Sequence, residues 1–598
     1  MRRTVLVCCG TGCLASGSIE VAEALQKELA PDVIIHGVED ACFVKKTGCN
    51  GFCENGPIVR IMPDDISYYK VRAKDASAIA KSLETNEPVL RLLYRTGGKA
   101  VLSQRENPFY SPQIKIALRN IGEIDPADIN DYISRGGYTA LKQALGMEPQ
   151  DIIAQVEASG LRGRGGAGFP TGTKWRYAAG YEPTPKYVIA NGDEGDPGAF
   201  MDRSILEGDP HSVIEGMAIC AIAIGSSTGF LYIRDEYSLA LANIEKAIQD
   251  AEDAGFLGES IIGSSKSLKL SIVRGGGAFV CGESTALMAS IEGRVGEPRA
   301  KYIRSVQRGI WDLPTVLNNV ETFANIPVII RDGAENFAKL GTEKSKGTKV
   351  FALVGKVKRT GLVEIPMGVT LRHLIFDIGG GVIDDMPFKA VQTGGPSGGV
   401  IPENMLDLPV DFDTLTEYGA MMGSGGMIVM DSTNCMVEVA RYYTAFLADE
   451  SCGRCTPCRE GLRQMLMILT DICEGRGREG DIELLEEIGS TLVDASLCAL
   501  GKSAPNPVLT TIRYFRSEYE AHIRDKVCEA GVCPELASFA VDPVKCTGCT
   551  LCELTCPVGA VSGKQKEIYT IDSKVCITCG ACRQACRFDA VVAIPRRR

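Results

Sequence analysis

CTGCTLCELTCP (546–557) and CITCGACRQACR (576–587) carry eight cysteines in one spacing written twice. Cys546, Cys549, Cys552 and Cys556 read C-x2-C-x2-C-x3-C with Pro557 following, and Cys576, Cys579, Cys582 and Cys586 repeat it. A [4Fe-4S] cube needs four thiolates at tetrahedral corners. A tight loop supplies three of them, and in a two-cluster module the fourth cysteine of each run ligates the other cluster. Zinc or disulfides account for the doubled register less well. The stretch therefore specifies a compact two-cluster module, in a chain that moves single electrons.

Outward from it, the cysteines stay clustered. Six of the 24 lie up to Cys53, two between there and residue 430, and sixteen beyond. That pattern suits cofactor ligation better than disulfide stapling of a small secreted domain. The 598 residues correspond to about four domains. A composition of 45% hydrophobic and 23% charged residues is that of a globular chain with large cores, and the net charge of -11 argues against general nucleic-acid binding. Arg596, Arg597 and Arg598 read as a solvated tail. The opening MRRTVLVCCG has too short an apolar run for a signal peptide, and no stretch approaches about 18 uninterrupted apolar residues. A cytoplasmic protein with reduced thiolates is expected.

Cys8 and Cys13 in VCCGTGC are spaced C-x4-C, and Cys49 and Cys53 in KTGCNGFCENG are spaced C-x3-C. Each pair sits in a Gly-containing loop where backbone amides can approach cluster sulfurs. The spacing leaves a zinc site or a redox dithiol open, although a dithiol would more often show C-x-x-C. These two spacings resemble those of the thioredoxin-like [2Fe-2S] ferredoxins, which implies one [2Fe-2S] centre on Cys8, Cys13, Cys49 and Cys53. The strands TVLVCCG, VIIHGVE and PIVRIMP and the helix SIEVAEALQKELA fit such a small α/β unit.

GLRGRGGAGFPTGTKW (160–175) contains G-x-G-x-x-G at Gly163, Gly165 and Gly168. The dinucleotide fingerprint requires a strand just before it, whereas DIIAQVEASG looks helical, so the simple Rossmann reading fails its context. Clustered glycines still let backbone N–H groups reach a phosphate, with Arg162, Arg164 and Lys174 adding positive charge. A flexible turn is the bland alternative. NGDEGDPGAFMDR (191–203), GGGAFVCGESTALMASIEG (275–293) and LPTVLNNVETFANIP (313–327) follow in this order. Together, over about residues 110–510, they resemble the NADH-binding flavoprotein subunit of respiratory complex I and of soluble NAD-linked hydrogenases and formate dehydrogenases.

The resemblance implies FMN phosphate and ribityl contacts at Gly163, Arg164, Gly165, Gly166 and Lys174. It places Asn191, Asp193 and Glu194 beside the isoalloxazine, and Gly282 and Glu283 between flavin and nicotinamide. Asn318, Asn319 and Thr322 would hold the flavin, and Phe169 and Phe279 would stack on NAD(H). Asp196 and Lys301 join the cofactor-binding set, and Glu194 and Glu283 are the expected catalytic residues. Ser284 stands where the family often has a second Glu, Asp196 where it has Glu, and Arg304 where it has an aromatic. Less negative charge and one extra arginine near the adenosine ribose would suit a 2′-phosphate, yet NAD(H) remains the expected nucleotide.

ESCGRCTPCREG supplies Cys452, Cys455 and Cys458. The family position of the fourth ligand is Cys498, which implies a further [4Fe-4S] cluster and three in all. QTGGPSGG (392–399) lies in a segment resembling the family's soluble-ligand-binding (SLBB) β-grasp module. Eight cysteines remain: Cys9, Cys42, Cys220, Cys281, Cys435, Cys473, Cys528 and Cys533. Cys473, His522, Cys528 and Cys533 match a closed zinc site, against a bland reading as unliganded thiols.

The expected architecture is an α/β multidomain chain. A thioredoxin-like [2Fe-2S] domain at 1–85 and a linker at 86–110 precede a Rossmann-like FMN/NAD(H) domain at 111–340. A β-grasp module follows at 341–432, then a helical-bundle [4Fe-4S] domain at 433–535 and a 2[4Fe-4S] ferredoxin-like domain at 536–598. The extended layout resembles the beta subunit of cytosolic electron-bifurcating [FeFe]-hydrogenases. That implies a hetero-oligomer with a catalytic hydrogenase subunit, a small thioredoxin-like [2Fe-2S] subunit and ferredoxin, with hydrogen chemistry on the partner. A diaphorase subunit of an NAD(P)-linked formate dehydrogenase or NADP-reducing hydrogenase is the alternative enzyme. A non-catalytic electron-relay scaffold is the alternative of a different class, and bleaching of flavin absorbance by NADH separates it from the enzyme.

Overall fold

The computed structural model describes residues 3–29, 43–300 and 302–595. Lys301, Cys42 and the VIIHGVE segment lie outside the described residues. The chain divides into two compact units, one comprising Met1–Ile383, Leu406–Glu417 and Met421–Val429, the other Asp384–Met405, Tyr418–Ala420 and Met430–Arg598.

In the first unit, the strand Thr4–Cys8 is the centre of a small sheet. It pairs in parallel with Phe43–Thr47 and antiparallel with Val59–Met62, which continues to Ile66–Tyr68. Val5, Val7, Val59 and Ile61 face helices Ser18–Glu28 and Ala76–Thr85 in one apolar cluster. The segment expected as a linker is ordered: Tyr94–Thr96 and Lys99–Val101 form a hairpin, and Phe109 stacks on Phe52 at 4.3 Å.

The flavin-type domain is built on four parallel strands in the order Thr315–Asn319, Tyr187–Gly192, Thr228–Arg234, Lys269–Gly275. Their flanking helix Pro210–Ile224 is predominantly apolar and wholly buried, with His211, Ser212 and Glu215 as its buried polar residues, as expected of a helix enclosed on every side. Gly216 lets it approach Val320–Asp332: a Cβ there would lie 2.2 Å from the Phe323 carbonyl oxygen. The glycine-rich loop follows the helix Pro149–Ala158 and precedes Thr171–Gly180, so it leaves a helix rather than a strand, as its sequence context indicates.

Buried polar groups pin this domain. The Glu364 carboxylate accepts the N–H groups of Ile116, Ala117 and Leu118, each at 2.9 Å. His211 is buried with Nδ1 against the Tyr138 hydroxyl at 2.8 Å, and desolvation pulls its pKa from 6.5 to about 4. The native ring is therefore neutral, while the unfolded chain protonates near pH 6.5. Between pH 6.5 and about 4 the unfolded state binds more protons, and stability falls on acidification by at most about 3 kcal/mol. The melting temperature should drop through that window in the wild type and follow a shallower slope in His211→Gln. Equal slopes would refute the assignment.

Strand Thr348–Gly355 pairs antiparallel with Gly361–Pro366 and in parallel with residues 426–429. In the second unit, Phe388–Thr393 and Gly399–Pro402 form an antiparallel pair. Met436–Asp449, Thr456–Cys473 and Asn506–Glu520 are amphipathic helices as expected of a helical bundle, and Asp481–Ala495 is a further helix beside them. The C-terminal module closes by pairing Ala537–Val541 with Val591–Pro595 and Val561–Ser562 with Thr570–Ile571. Among the described residues no helix is long and apolar enough to cross a membrane.

Candidate functional site

The glycine-rich loop closes on itself. Gly163 N donates to Phe169 O at 2.9 Å and Thr171 N to Leu161 O at 2.9 Å. Arg164 is fully buried, and burial lowers its guanidinium pKa to about 10. Its side chain donates to Arg162 O and Lys346 O, and its backbone N–H to Thr322 Oγ1. Arg164 was expected among the residues that contact FMN phosphate and ribityl; its side chain here donates to backbone carbonyls, while its Nε is buried with no partner among the described residues. Gly166 has φ of 115° and bridges Gly423, a partner that sequence reasoning missed, although GSGGM (423–427) is itself glycine-rich.

Lys174 Nζ donates to Leu317 O at 2.8 Å and to Asn318 Oδ1 at 3.1 Å. The Asn318 Nδ2 group is buried with no partner among the described residues. A polar ligand group beside the ammonium would satisfy that donor. A Cβ at Gly165 would come 3.0 Å from Asn319 Cβ. These observations fit FMN, which the loop glycines, Lys174 and Asn318 would hold.

The acidic loop is fixed from several sides. Asn191 Nδ2 donates to Gly282 O at 3.0 Å, which joins two of the loops singled out in the sequence. The Glu194 carboxylate accepts from the N–H groups of Met201, Asp202 and Arg203, and burial raises its pKa. The Glu283 carboxylate caps Ser284–Ile291 by accepting from Thr285 N and Ala286 N. Both were expected as catalytic residues. In the structure their oxygens accept from helix N-termini, where backbone N–H groups and the helix dipole favour an anion. Asp196 accepts from Ser424 Oγ at 2.9 Å, and desolvation pushes its pKa up to about 7. Asn319 Nδ2 donates to Asp202, another residue sequence reasoning did not single out.

Phe169 and Tyr177 are exposed aromatics, 38% and 41% accessible, and the Arg304 guanidinium lies 5.9 and 5.4 Å from their ring centroids. Flat rings bind such faces, and the arginine adds charge beside them. Phe279 is half-buried near Gly195, where a Cβ would come 2.7 Å from its ring.

Four further groups of side chains assemble thiols. Cys8 touches Cys13 and Cys49, and Cys49 touches Cys53; Asn50 N and Gly51 N donate to Cys8 Sγ and Cys49 Sγ. In the second unit, Cys452, Cys455 and Cys498 surround Cys458, whose pKa burial raises to about 11. In the C-terminal module one cavity is lined by Cys546, Cys549, Cys552 and Cys586, the other by Cys576, Cys579, Cys582 and Cys556. The fourth cysteine of each run thus crosses to the other set. Ala560 N donates to Cys556 Sγ and Ala590 N to Cys586 Sγ, at 3.2 and 3.3 Å, the type of bond that tunes a cluster's potential.

The zinc expectation requires a correction. Cys435, His522, Cys528 and Cys533 are buried with their ligand atoms all within 4.8 Å of one another. Cys473, expected as the fourth ligand, groups instead with Glu438 and Cys533. Cys435 stands at the N-cap of Met436–Asp449, with Sγ 3.3 Å from His522 Nε2. His522 Nδ1 faces Glu518 O at 2.7 Å, which fixes the tautomer that leaves Nε2 as a ligand. Three thiols and one imidazole suit structural zinc.

Nucleotide loop and thiol sets are the parts of an iron–sulfur flavoprotein oxidoreductase. Residues 156–328 match the Nuo51 FMN-binding domain, 438–522 the NADH-ubiquinone oxidoreductase-F iron-sulfur binding region, 545–590 a 4Fe-4S dicluster domain and 2–84 the thioredoxin-like [2Fe-2S] ferredoxin. The chain is 52% identical to the NADP-reducing hydrogenase subunit HndC of Solidesulfovibrio fructosivorans, over 80% of this chain and 98% of that one. It is 44% identical to the F 2 chain of the NADH-quinone oxidoreductase of Rhizobium meliloti, over 69% and 98%. A crystal structure of NAD+-reducing [NiFe]-hydrogenase in the H2-reduced state superposes with a TM-score of 0.60 at 30% identity, covering 88% of this chain and 84% of that one. The chain belongs to the NADH-binding flavoprotein family of complex I and hydrogenase subunits.

Proposed function

We propose that this chain is the nicotinamide-dinucleotide-handling subunit of a soluble hydrogenase complex. It would exchange electrons between NAD(H) and a partner subunit that carries the hydrogen chemistry. The observation that carries this reading is one polypeptide holding a flavin-type loop together with four cluster-ligand sets. FMN, when bound, converts a two-electron hydride into single electrons. The chain's own residues do the rest. Lys174 and the loop glycines orient the phosphate end, Glu194 and Glu283 hold the loops beside the ring, and Phe169 with Tyr177 offers a face for the dinucleotide's flat base.

The finer reading is one [2Fe-2S] and three [4Fe-4S] centres, an SLBB-type β-grasp spacer, a small thioredoxin-like [2Fe-2S] partner, and electron bifurcation with ferredoxin docking at the C-terminal clusters. The diaphorase alternative, with NADP(H), draws support from Arg304 over the exposed aromatic pair. Anaerobic protein should show flavin bleaching within one turnover of NADH addition and should co-purify with a hydrogenase subunit. Steady-state rates with both nucleotides decide between them. NADH is expected to give the higher kcat/KM, and Arg304→Glu should depress the NADPH value about tenfold, the worth of one lost charge contact of about 1.4 kcal/mol. A clear NADPH preference overturns the NAD(H) assignment, and flavin-free protein favours the relay scaffold.

A further inference from the structure

One helix of eight residues, Met201–Gly208, spans from the acidic loop to the N-terminal cysteines. Its first turn donates three N–H groups to Glu194, at 2.9, 3.2 and 3.1 Å. At its other end, the Glu207 carboxylate, whose side chain is 2% exposed, accepts from Thr11 N at 3.1 Å and from the Thr11 hydroxyl. Thr11 opens the turn that carries Cys13. Gly208 lies so close to Gly48 that a Cβ on Gly48 would come 2.3 Å from Gly208 Cα, and Gly48 directly precedes Cys49. Leu362 N donates to Gly51 O at 2.7 Å and holds the same loop from a third side. Both ligand loops thus rest on a rigid element about 12 Å long.

Arg203 sits between these ends. Its guanidinium lies 5.4 and 5.9 Å from the ring centroids of Tyr237 and Phe200, and Nε is 3.7 Å from Glu207 Oε1. That Nε is buried and makes no hydrogen bond among the described residues. Through Glu207 this cation stands one contact from Thr11, two residues before the ligand Cys13. The arginine side chain is only partly exposed, held between two aromatic faces and a buried carboxylate.

We infer that Glu207 and Arg203 are positioning residues for the iron centre of Cys8, Cys13, Cys49 and Cys53. Glu207 seats the ligand loops on the flavin-type domain, and Arg203 sets the centre's reduction potential. The inference rests on reading those four cysteines as [2Fe-2S] ligands. A reduced centre carries one more negative charge, so a nearby cation in a low-dielectric setting stabilises it and a nearby anion does the reverse.

The test is a redox titration of the full-length protein followed by electron paramagnetic resonance, with iron content measured on each variant. Arg203→Gln should move the [2Fe-2S] midpoint negative, so that the reduced-to-oxidised ratio at a fixed potential falls about tenfold, equivalent to about 59 mV for one electron. Arg203→Lys should restore the wild-type value, and Glu207→Gln should move it positive. Opposite signs distinguish a charge effect from loosened packing, which would shift both variants alike. Coincident midpoints for Arg203→Gln and wild type, or shifts of the same sign in the two variants, overturn the inference. Absence of any [2Fe-2S] signal in the wild type overturns the ligand reading beneath it.

Discussion

Gly166→Ala is expected to purify with little flavin and to lose most of its NADH-dependent dye reduction, the consequence of a cofactor site weakened by roughly 30- to 100-fold. Gly166 has φ of 115°, and a Cβ built there lies 3.1 Å from the Gly423 carbonyl carbon and 3.2 Å from Gly423 Cα. The positive φ costs an alanine about 1–3 kcal/mol. The contact costs a similar amount, since a backbone bridge cannot rotate away as a side chain can. Together these weaken a ligand held by the loop by about 2–3 kcal/mol, or about 30- to 100-fold. The clusters should be spared, since none of their ligands lies in this loop. Iron content and cluster signals should match the wild type while the flavin-to-protein ratio falls, and Gly163→Ala, at ordinary distance from its nearest neighbour (3.5 Å), should be milder. Full flavin occupancy in Gly166→Ala would show that the loop does not hold the cofactor.

Cys435→Ala should lose one equivalent of zinc, and Cys473→Ala should keep it. A structural Zn2+ contributes about 10–16 kcal/mol in small domains, and it requires all four donors. Cys435 Sγ lies 3.9 Å from Cys533 Sγ and 3.3 Å from His522 Nε2, whereas Cys473 belongs to the neighbouring group with Glu438. Losing the metal would leave buried thiols and a buried imidazole, with desolvation uncompensated. The thermal transition of the helical part should then fall by several degrees. Metal analysis and calorimetry on both variants check this. Zinc retained in Cys435→Ala, or lost in Cys473→Ala, refutes the ligand set, and iron as the only metal in the wild type removes the site.

Local patterns were legible because they are set over a few residues. The doubled C-x2-C-x2-C-x3-C carries its own loop geometry. The helices of the 433–535 segment announce themselves by apolar periodicity, and the Gly-rich loop by residues that only a close approach or a positive φ requires. The strand Phe43–Thr47 was not singled out. FVKKT is half-exposed and carries two lysines, so it lacks the buried run that marks a strand; it is a strand because Thr4–Cys8 offers it a parallel edge.

What the chain alone determined is its inventory: which thiols come in sets, which loop is shaped for a phosphate, and which segments can bury an apolar face. Only the tertiary structure decided how distant side chains share those parts. It exchanged Cys473 for Cys435 across 87 residues of separation from His522, turned Glu194 and Glu283 into helix caps, and brought Glu207 to Thr11 across 196 residues. The reason is physical. Buried donors, acceptors and charges must find partners wherever the packed core places them, and no spacing rule in one dimension records which strands and helices will meet.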